Sequence, residues 1–530
     1  MKKTIIKLSL AVFALGIANV IYGQETKEIL NWYNGKKPGM ETEKAYKMLK
    51  KRKSETVVVA VIDSGIDIEH EDLKGKIWVN KDEIPGNKID DDNNGYVDDV
   101  YGWNFLGNSN GENLNEANLE KTRLLRKYTA KFDKVDPETL SADEKKEYEL
   151  YQEVKTDVEA EIEMYSSVIA QLDMMPQMIQ QIPVMVSSQI GKTDYTLEDL
   201  EKWKPDNDQM KQLKRAAKAI LTGDLTMEVI DKQKAQIQGM LDYNLNVNYI
   251  DRELIGDNPD DFSDKNYGNS DVEGPDALHG THVGGIIGAV RGNELGGDGV
   301  AENVLLMSVR AVPDGDEFDK DIAYAVRYAV DNGAQVINMS FGKAYSPHQK
   351  EVHEAFKYAD SKGVLLVHAA GNDNANVDSV GNFPTSLYSF QTSPLDHFLT
   401  IGASTRFPKK ELAATFSNYG QTKVDVFAPG FEIYNTVPQS DYMKLQGTSM
   451  AAPMVSGVAA MLKSYFPTLT MKEIKDIMLQ SATSYKGKQQ YKPGTEDLVD
   501  FASLSVTGAV INVKSAVKMC MKLEKSKSSK

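Results

Sequence analysis

The clearest pattern in the chain is a set of short, unbroken apolar runs separated by stretches with helical periodicity. VVVAVID, residues 57–63, stays apolar until its final carboxylate. Residues 305–309, 336–339, 364–367 and 424–427 repeat the pattern with little alternation. Runs this short and this apolar fit strands covered on both faces, the situation in parallel sheets. Between some of them, residues 321–330 and 349–359 have the apolar spacing of amphipathic helices. Strand and helix in alternation predict an α/β fold: a doubly wound, mostly parallel sheet with helices on both faces.

Between Gly107 and Asp251 that rhythm stops. Glycine becomes scarce and Lys, Glu, Leu, Gln and Met dominate. SADE, residues 141–144, is a capping box opening a helical pattern toward Met174, and Pro176 is expected to break it. TLED at 196–199 and TMEV at 226–229 read as further helix starts, and Gly223 as a stop. The expected organisation is a first α/β part in residues 24–106, a helical insertion in 107–250, and a second α/β part in 251–530. Met174, Met175, Met178 and Met185 flank a proline and suit either an adaptable apolar surface or ordinary helix packing. Residues 510–523 read as a final helix, with a disordered Lys- and Ser-rich end.

Composition narrows the function. The chain has 530 residues and a net charge of −16, which argues against nucleic acid or anionic lipid as a partner. Its single cysteine, Cys520, excludes an internal disulfide. The start has a short basic region and then an apolar run from Ile5 to Ile21, the pattern of a secretory signal in residues 1–23. Lys7 and Asn19 shorten that run, so a spanning anchor fits less well, and no later stretch suits a membrane span. An exported protein, periplasmic or secreted, without a stable membrane anchor after signal cleavage, is expected.

Four motifs carry candidate chemistry. GTSMAAP, residues 447–453, runs from a small-residue turn into an apolar helical pattern, which puts Ser449 at a helix N-terminus. A serine there can be a mere cap, and its hydroxyl needs a positioned base to act as a nucleophile. GPDALHGTHVGG, residues 274–285, offers His279 and His282 at the start of another small-residue helix. Asp63 ends the first apolar run, and VLLVHAAGN, residues 364–372, is a strand, a tight turn and the amide of Asn372. Asp63 read alone can cap the Ser64–Gly65 turn, and Asn372 can be an ordinary turn residue. Another region, residues 89–99, is dense in carboxylates around Gly95. With that glycine as the sixth position of a calcium loop, Asp90, Asp92, Asn94 and Asp98 fall at positions one, three, five and nine. Position twelve is Tyr101, so the helix–loop–helix site is incomplete, and the rival reading is an acidic surface turn.

The order Asp, His, Ser and the serine context G-x-S-x-A differ from the α/β-hydrolase pattern. With all four motifs, the chain resembles the subtilisin-like serine proteases, the subtilases. The resemblance implies a triad of Asp63, His279 and Ser449, with Asn372 in the oxyanion hole and His282 in a structural place. It implies that Ser340, Phe341 and Gly342 pair with substrate backbone and wall a specificity pocket, opposite Ala370 and Gly371. It also implies a Ca²⁺ ion at the aspartate-rich loop, protein or peptide substrates, and no cofactor for catalysis. The other histidines, 70, 348, 353, 368 and 397, are expected to be structural. Two features depart from the family pattern. The lead-in, residues 24–56, is too short for the usual inhibitory prodomain, and the helical insertion separates Asp from His. The insertion is expected either to gate access to Ser449 or to serve as a spacer or partner-docking arm away from the cleft. The rival classes are a non-catalytic peptide-binding protein with a protease-like fold, and an exopeptidase.

Overall fold

A computed structural model describes residues 27–265 and 267–528. The signal expected in residues 1–23 lies outside them. The chain divides into two compact units, one comprising Lys121–Tyr249 and the other Thr26–Glu120 with Ile250–Lys530.

The larger unit is built on a sheet of nine strands. These are β1 (Val57–Asp63), β2 (Gly102–Asn104), β3 (Val304–Arg310), β4 (Val336–Met339), β5 (Leu365–Ala369), β6 (Phe398–Ser404), β7 (Val426–Pro429), β10 (Thr483–Ser484) and β13 (Ala509–Val510). Two hairpins stand apart from it, β8 (Ile433–Val437) with β9 (Asp441–Leu445) and β11 (Gln489–Tyr491) with β12 (Leu498–Asp500). The sheet order is β10-β13-β7-β6-β5-β4-β1-β3-β2, and every pairing in it is parallel except β10 with β13. The fold class expected from the apolar runs is thus the one observed.

Successive residues of β1 point to opposite faces, and both faces are buried. Val57, Val59 and Val61 join one core, Ala60 and Ile62 the other. The first core lies under α1 (Thr42–Leu49), α2 (Leu278–Gly288), α5 (Thr448–Tyr465), α6 (Met471–Ser481) and α7 (Val513–Ser528). The second lies under α3 (Asp319–Asp331) and α4 (Gln349–Ser361). The chain runs from β1 to β3 on one side and then to β4 on the other, so the order reverses between β1 and β4. In open α/β sheets, ligands bind in the crevice at the carboxyl ends of strands at such a reversal.

The smaller unit is helical, as its composition implied. Ser141 and Thr196 cap Ala142–Ile190 and Leu197–Lys202 through full capping boxes, and Thr226 caps Met227–Gly239. Gly223 ends Asp208–Thr222 in the left-handed conformation, φ 80°. Pro176 does not break the long helix, which contains both Pro176 and Pro183. Leu172, Ile182 and Val186, around the prolines, are buried in clusters with Leu213, Ala217, Leu225 and Ile230, and this packing outweighs the missing N–H groups. Met174, Met178 and Met185 are exposed, while Met175 packs against the Leu172 cluster.

The helical unit begins at Lys121, later than the predicted Gly107. Residues before it belong to the larger unit, because Leu114 and Ala117 are buried in its second core. Its return is fixed nearby, since Asn118 N–H donates to the Asp251 carboxylate at 3.0 Å. The C-terminal helix continues to Ser528, past the end expected at residue 523. Lys527 pairs with Glu473 there, at 2.6 Å. Among the described residues, no helix is long and apolar enough to cross a membrane.

Candidate active site

Asp63 is the last residue of β1 and only 2% exposed. Its Oδ1 accepts from the Ser64 N–H at 2.8 Å and lies 2.6 Å from His279 Nδ1. His279 reaches it because α2 begins close against the end of β1. A side chain at Gly280 would lie 2.0 Å from the Gly65 carbonyl oxygen, so only glycine permits this approach. Burial lowers the imidazole pKa, but the charge and hydrogen bond of Asp63 outweigh it and hold His279 above its ordinary value.

Both histidines of the motif stand on α2, and the structure separates them. His282 is fully buried and turns to the β8–β9 hairpin, with Nε2 3.0 Å from the Ile433 carbonyl and 3.2 Å from that of Met443. Burial pushes its pKa down to about 4. The remaining histidines are also held by neighbours. His70 caps a short turn, His348 and His397 pair with Asp260 and Asp360, His353 packs on Tyr388 and Phe390, and His368 contacts the Phe341 carbonyl.

Ser449 is the second residue of α5. Pro453 lies four residues on and has no N–H, so the Ser449 carbonyl receives no helical hydrogen bond from that position. Ser340 Oγ, beyond the end of β4, donates to it instead at 2.8 Å. Ser340 Oγ in turn accepts from Asn338 Nδ2 at 2.9 Å, and Asn338 Oδ1 accepts from Ser456 at 2.8 Å. Asn338 and Ser456 are fully buried, so this relay fixes the start of α5 on the sheet. The sequence reading missed both residues. The proline four positions after the serine was the available signal. The Ser449 hydroxyl donates to the Ser340 carbonyl at 3.2 Å, and no hydrogen bond joins Ser449 to His279. Such bonds are often long in the absence of substrate.

Asn372 sits on the turn after β5. Its Oδ1 accepts from the Thr448 N–H at 2.8 Å and the Thr448 hydroxyl at 3.0 Å, which leaves its Nδ2 as a donor. A Cβ added to Gly447 would lie 3.4 Å from Asn372 Nδ2 and 3.6 Å from the Ser449 nitrogen. The two nitrogens therefore flank one small space that glycine keeps open. Asn418, also missed from sequence, staples the turn by donating to the Ala370 carbonyl and accepting from the N–H groups of Asp373 and Ala375. Gly371, at φ +98°, is needed there because a side chain would meet Asn418 at 2.4 Å.

A cleft of about 420 Å³ opens beside this arrangement, lined by Asp63, His279, Ser340, Phe341 and Gly342 among others. Ala370 and Gly371 do not line it. The Ala370 side chain is fully buried in a cluster with Val377 and Phe427. The Phe341 ring likewise packs into the second core.

The acidic loop differs in part from its sequence reading. Asp90 and Asp92 place carboxylate oxygens within 4.8 Å of one another and of Glu83, a residue the loop motif does not contain. Asp98 is turned elsewhere and accepts from the N–H groups of Gly86 and Lys88. Asn94 donates to Asp92 and Asp99, and its Oδ1 takes the Tyr96 N–H. Three convergent carboxylates are a donor set that suits a hard cation such as Ca²⁺.

A family model described as the subtilase family matches residues 54–503. The chain belongs to that family, the subtilisin-like serine proteases. Over 232 residues it is 36% identical to a thermophilic serine proteinase of Bacillus sp. (strain AK1), across 44% of this chain and 52% of that protein. Over 274 residues it is 31% identical to subtilisin DY of Bacillus licheniformis, across 50% of this chain and 93% of that protein. The match thus spans about half the length of the first relative and nearly all of the second. A solved structure of proteases from Pseudoalteromonas arctica PAMC 21717 aligns at 27% identity over 49% of this chain and 80% of that one, with a TM-score of 0.39.

Proposed function

We propose that this chain is a serine endopeptidase that hydrolyses peptide bonds of protein or peptide substrates through an acyl-enzyme. The observation that carries the proposal is the 2.6 Å contact of His279 Nδ1 with buried Asp63, which leaves Nε2 as the basic nitrogen. Nε2 takes the Ser449 proton as Oγ attacks the scissile carbonyl. Asp63 orients the ring and stabilises its protonated form. The negative oxygen of the tetrahedral adduct sits between Asn372 Nδ2 and the Ser449 N–H, with the positive end of α5 behind it. His279 then returns the proton to the leaving amine, and water repeats the sequence on the ester. Ser340, Phe341 and Gly342 present the edge along which the acyl side of the substrate lies.

Glu83, Asp90 and Asp92 would hold Ca²⁺ away from the chemistry, where it ties together the surface loop of residues 83–92. The basic start and apolar run of the N-terminus support export. Ser449→Ala tests the central assignment. It should abolish peptidase activity and covalent fluorophosphonate labelling while the thermal melt stays near wild type. Wild-type turnover in the purified variant would remove Ser449 from its role and favour a peptide-binding reading.

A further inference from the structure

The cleft beside His279 is more specific than a generic groove. Its lining includes Asp276, Asp314, Glu317 and Arg310. Arg310 is 1% exposed, and its donors go to the Ser64 carbonyl at 3.0 Å, Asn104 Oδ1 at 3.0 Å and the Leu114 carbonyl at 2.6 Å. The one guanidinium is thus built into the floor. Asp276 and Asp314 stand exposed at the mouth. Asp276 Oδ1 accepts from the Leu278 N–H at 3.0 Å, which fixes the carboxylate next to the His279 helix. The Asp314 backbone is pinned on both sides, its N–H donating to the Asn115 carbonyl and its carbonyl accepting from Ala117, each at 2.8 Å. Asp63 lies on the same wall, and its buried Oδ2 has no hydrogen-bond partner among the described residues.

Leu278, Val312 and Pro313 supply the apolar part of the lining. An apolar passage with carboxylates at its edge fits one kind of side chain, a methylene stem that ends in a cation. An acidic side chain would face like charge, and a short apolar one would leave the carboxylates unused. The cleft runs from His279 to the Ser340–Gly342 edge, and since that edge is the one proposed above for the acyl side of the substrate, it receives residues upstream of the bond that is cut.

We propose that this cleft selects a Lys or Arg side chain on the acyl side of the scissile peptide bond, with Asp276 and Asp314 as the residues that recognise it. The inference rests on the endopeptidase reading and names its substrate class. The full chain is purified and given internally quenched peptides in which Arg, Leu or Glu is placed in turn at the second, third and fourth residue before the scissile bond. At one of these positions kcat/KM for Arg should exceed that for Leu by roughly five- to tenfold, and that for Glu by more, as partly exposed charges allow. The preference should shrink as salt rises. In the double variant Asp276→Asn, Asp314→Asn the Arg-to-Leu ratio should fall toward one. Any effect of Asp276 on the ionisation of His279 acts on both peptides and cancels in the ratio. Cleavage of Arg, Leu and Glu peptides at equal rates, or an Arg preference unchanged in the double variant, would overturn the specificity proposal and leave the endopeptidase reading intact. Failure to cleave any peptide, with no fluorophosphonate labelling, would overturn the endopeptidase reading itself.

Discussion

On the proposed mechanism Asn372 does two jobs with two ends of one amide, and two substitutions separate them. The oxygen accepts from the N–H and hydroxyl of Thr448, a residue 1% exposed at the first turn of α5. The nitrogen faces the space beside Gly447. Asn372→Ala removes both. Loss of one oxyanion-hole donor costs about 10²–10³ in kcat, roughly 2.7–4 kcal/mol, a figure measured on subtilisin itself and carried over to this relative. Leaving the buried Thr448 N–H without an acceptor costs about 1–3 kcal/mol of stability. Asn372→Asp has the same shape and keeps an acceptor for Thr448, and its negative charge sits favourably at the N-terminus of α5. It has no donor, however, and it repels the developing oxyanion. The expected result is that Ala lowers both kcat and Tm, the latter by a few °C, while Asp lowers kcat at least as far and leaves Tm near wild type. Steady-state kinetics on a peptide reporter and calorimetric melts of the same preparations decide it. An Asp variant within about tenfold of wild-type kcat would refute the oxyanion role. An Ala variant with an unchanged melt would refute the stapling role.

Three further outcomes are expected. The charge and hydrogen bond of Asp63 hold His279 above its ordinary value of 6.5, and the proposed mechanism needs its neutral form, so kcat/KM should rise with pH along a limb centred above 6.5. The same shift adds stability that is fully present below pH 6.5 and lost as pH rises through the folded value. A limb at or below 6.5 would contradict the Asp63 pairing. If Ca²⁺ binds at Glu83, Asp90 and Asp92, a chelator should lower Tm in the wild type and in Asp98→Asn, but not in Glu83→Gln; equal sensitivity in all three would remove this ligand set. Replacing residues 121–248 by a short Gly/Ser linker should leave a folded peptidase unit, because Asn118 and Asp251 already bring the two chain ends together. If the insertion gates the site, that variant should gain more on unfolded casein than on a tripeptide reporter; an unchanged ratio would leave the spacer reading.

The sheet and the candidate triad were legible because strands buried on both faces are short continuous apolar runs, and because each site residue directly follows or opens such an element. Asp63 ends its run, and Ser449 opens a helix of small residues. What was illegible depends on contacts distant in sequence. Pro176 marks a local conflict that burial of Leu172, Ile182 and Val186 overrides. Glu83 joins the acidic cluster from outside the loop motif, where spacing alone carried no signal. The expected start at residue 107 and the start of the helical unit at Lys121 differ because residues 107–120 are polar like the insertion and yet bury Leu114 and Ala117 in the core of the larger unit. His279 and His282 were separated in sequence terms only by resemblance; the β8–β9 hairpin that captures His282 lies some 150 residues away.

The pairing of β1 has a consequence for how the molecule is made. Both neighbours of β1 in the sheet, β3 and β4, follow the helical unit in the chain. A ribosome that has released Asp63 must add about 250 more residues before the first of these partners is complete. During that interval the strand bearing the carboxylate has no ladder to join, whereas the helical unit, made of local contacts, can fold as it emerges. His279 appears before β3, yet the sheet end against which it meets Asp63 forms only afterwards. The nascent chain is therefore without a working active site until most of its length has been synthesised. The order of the elements by itself delays hydrolytic activity through the period when the polypeptide is least able to resist it.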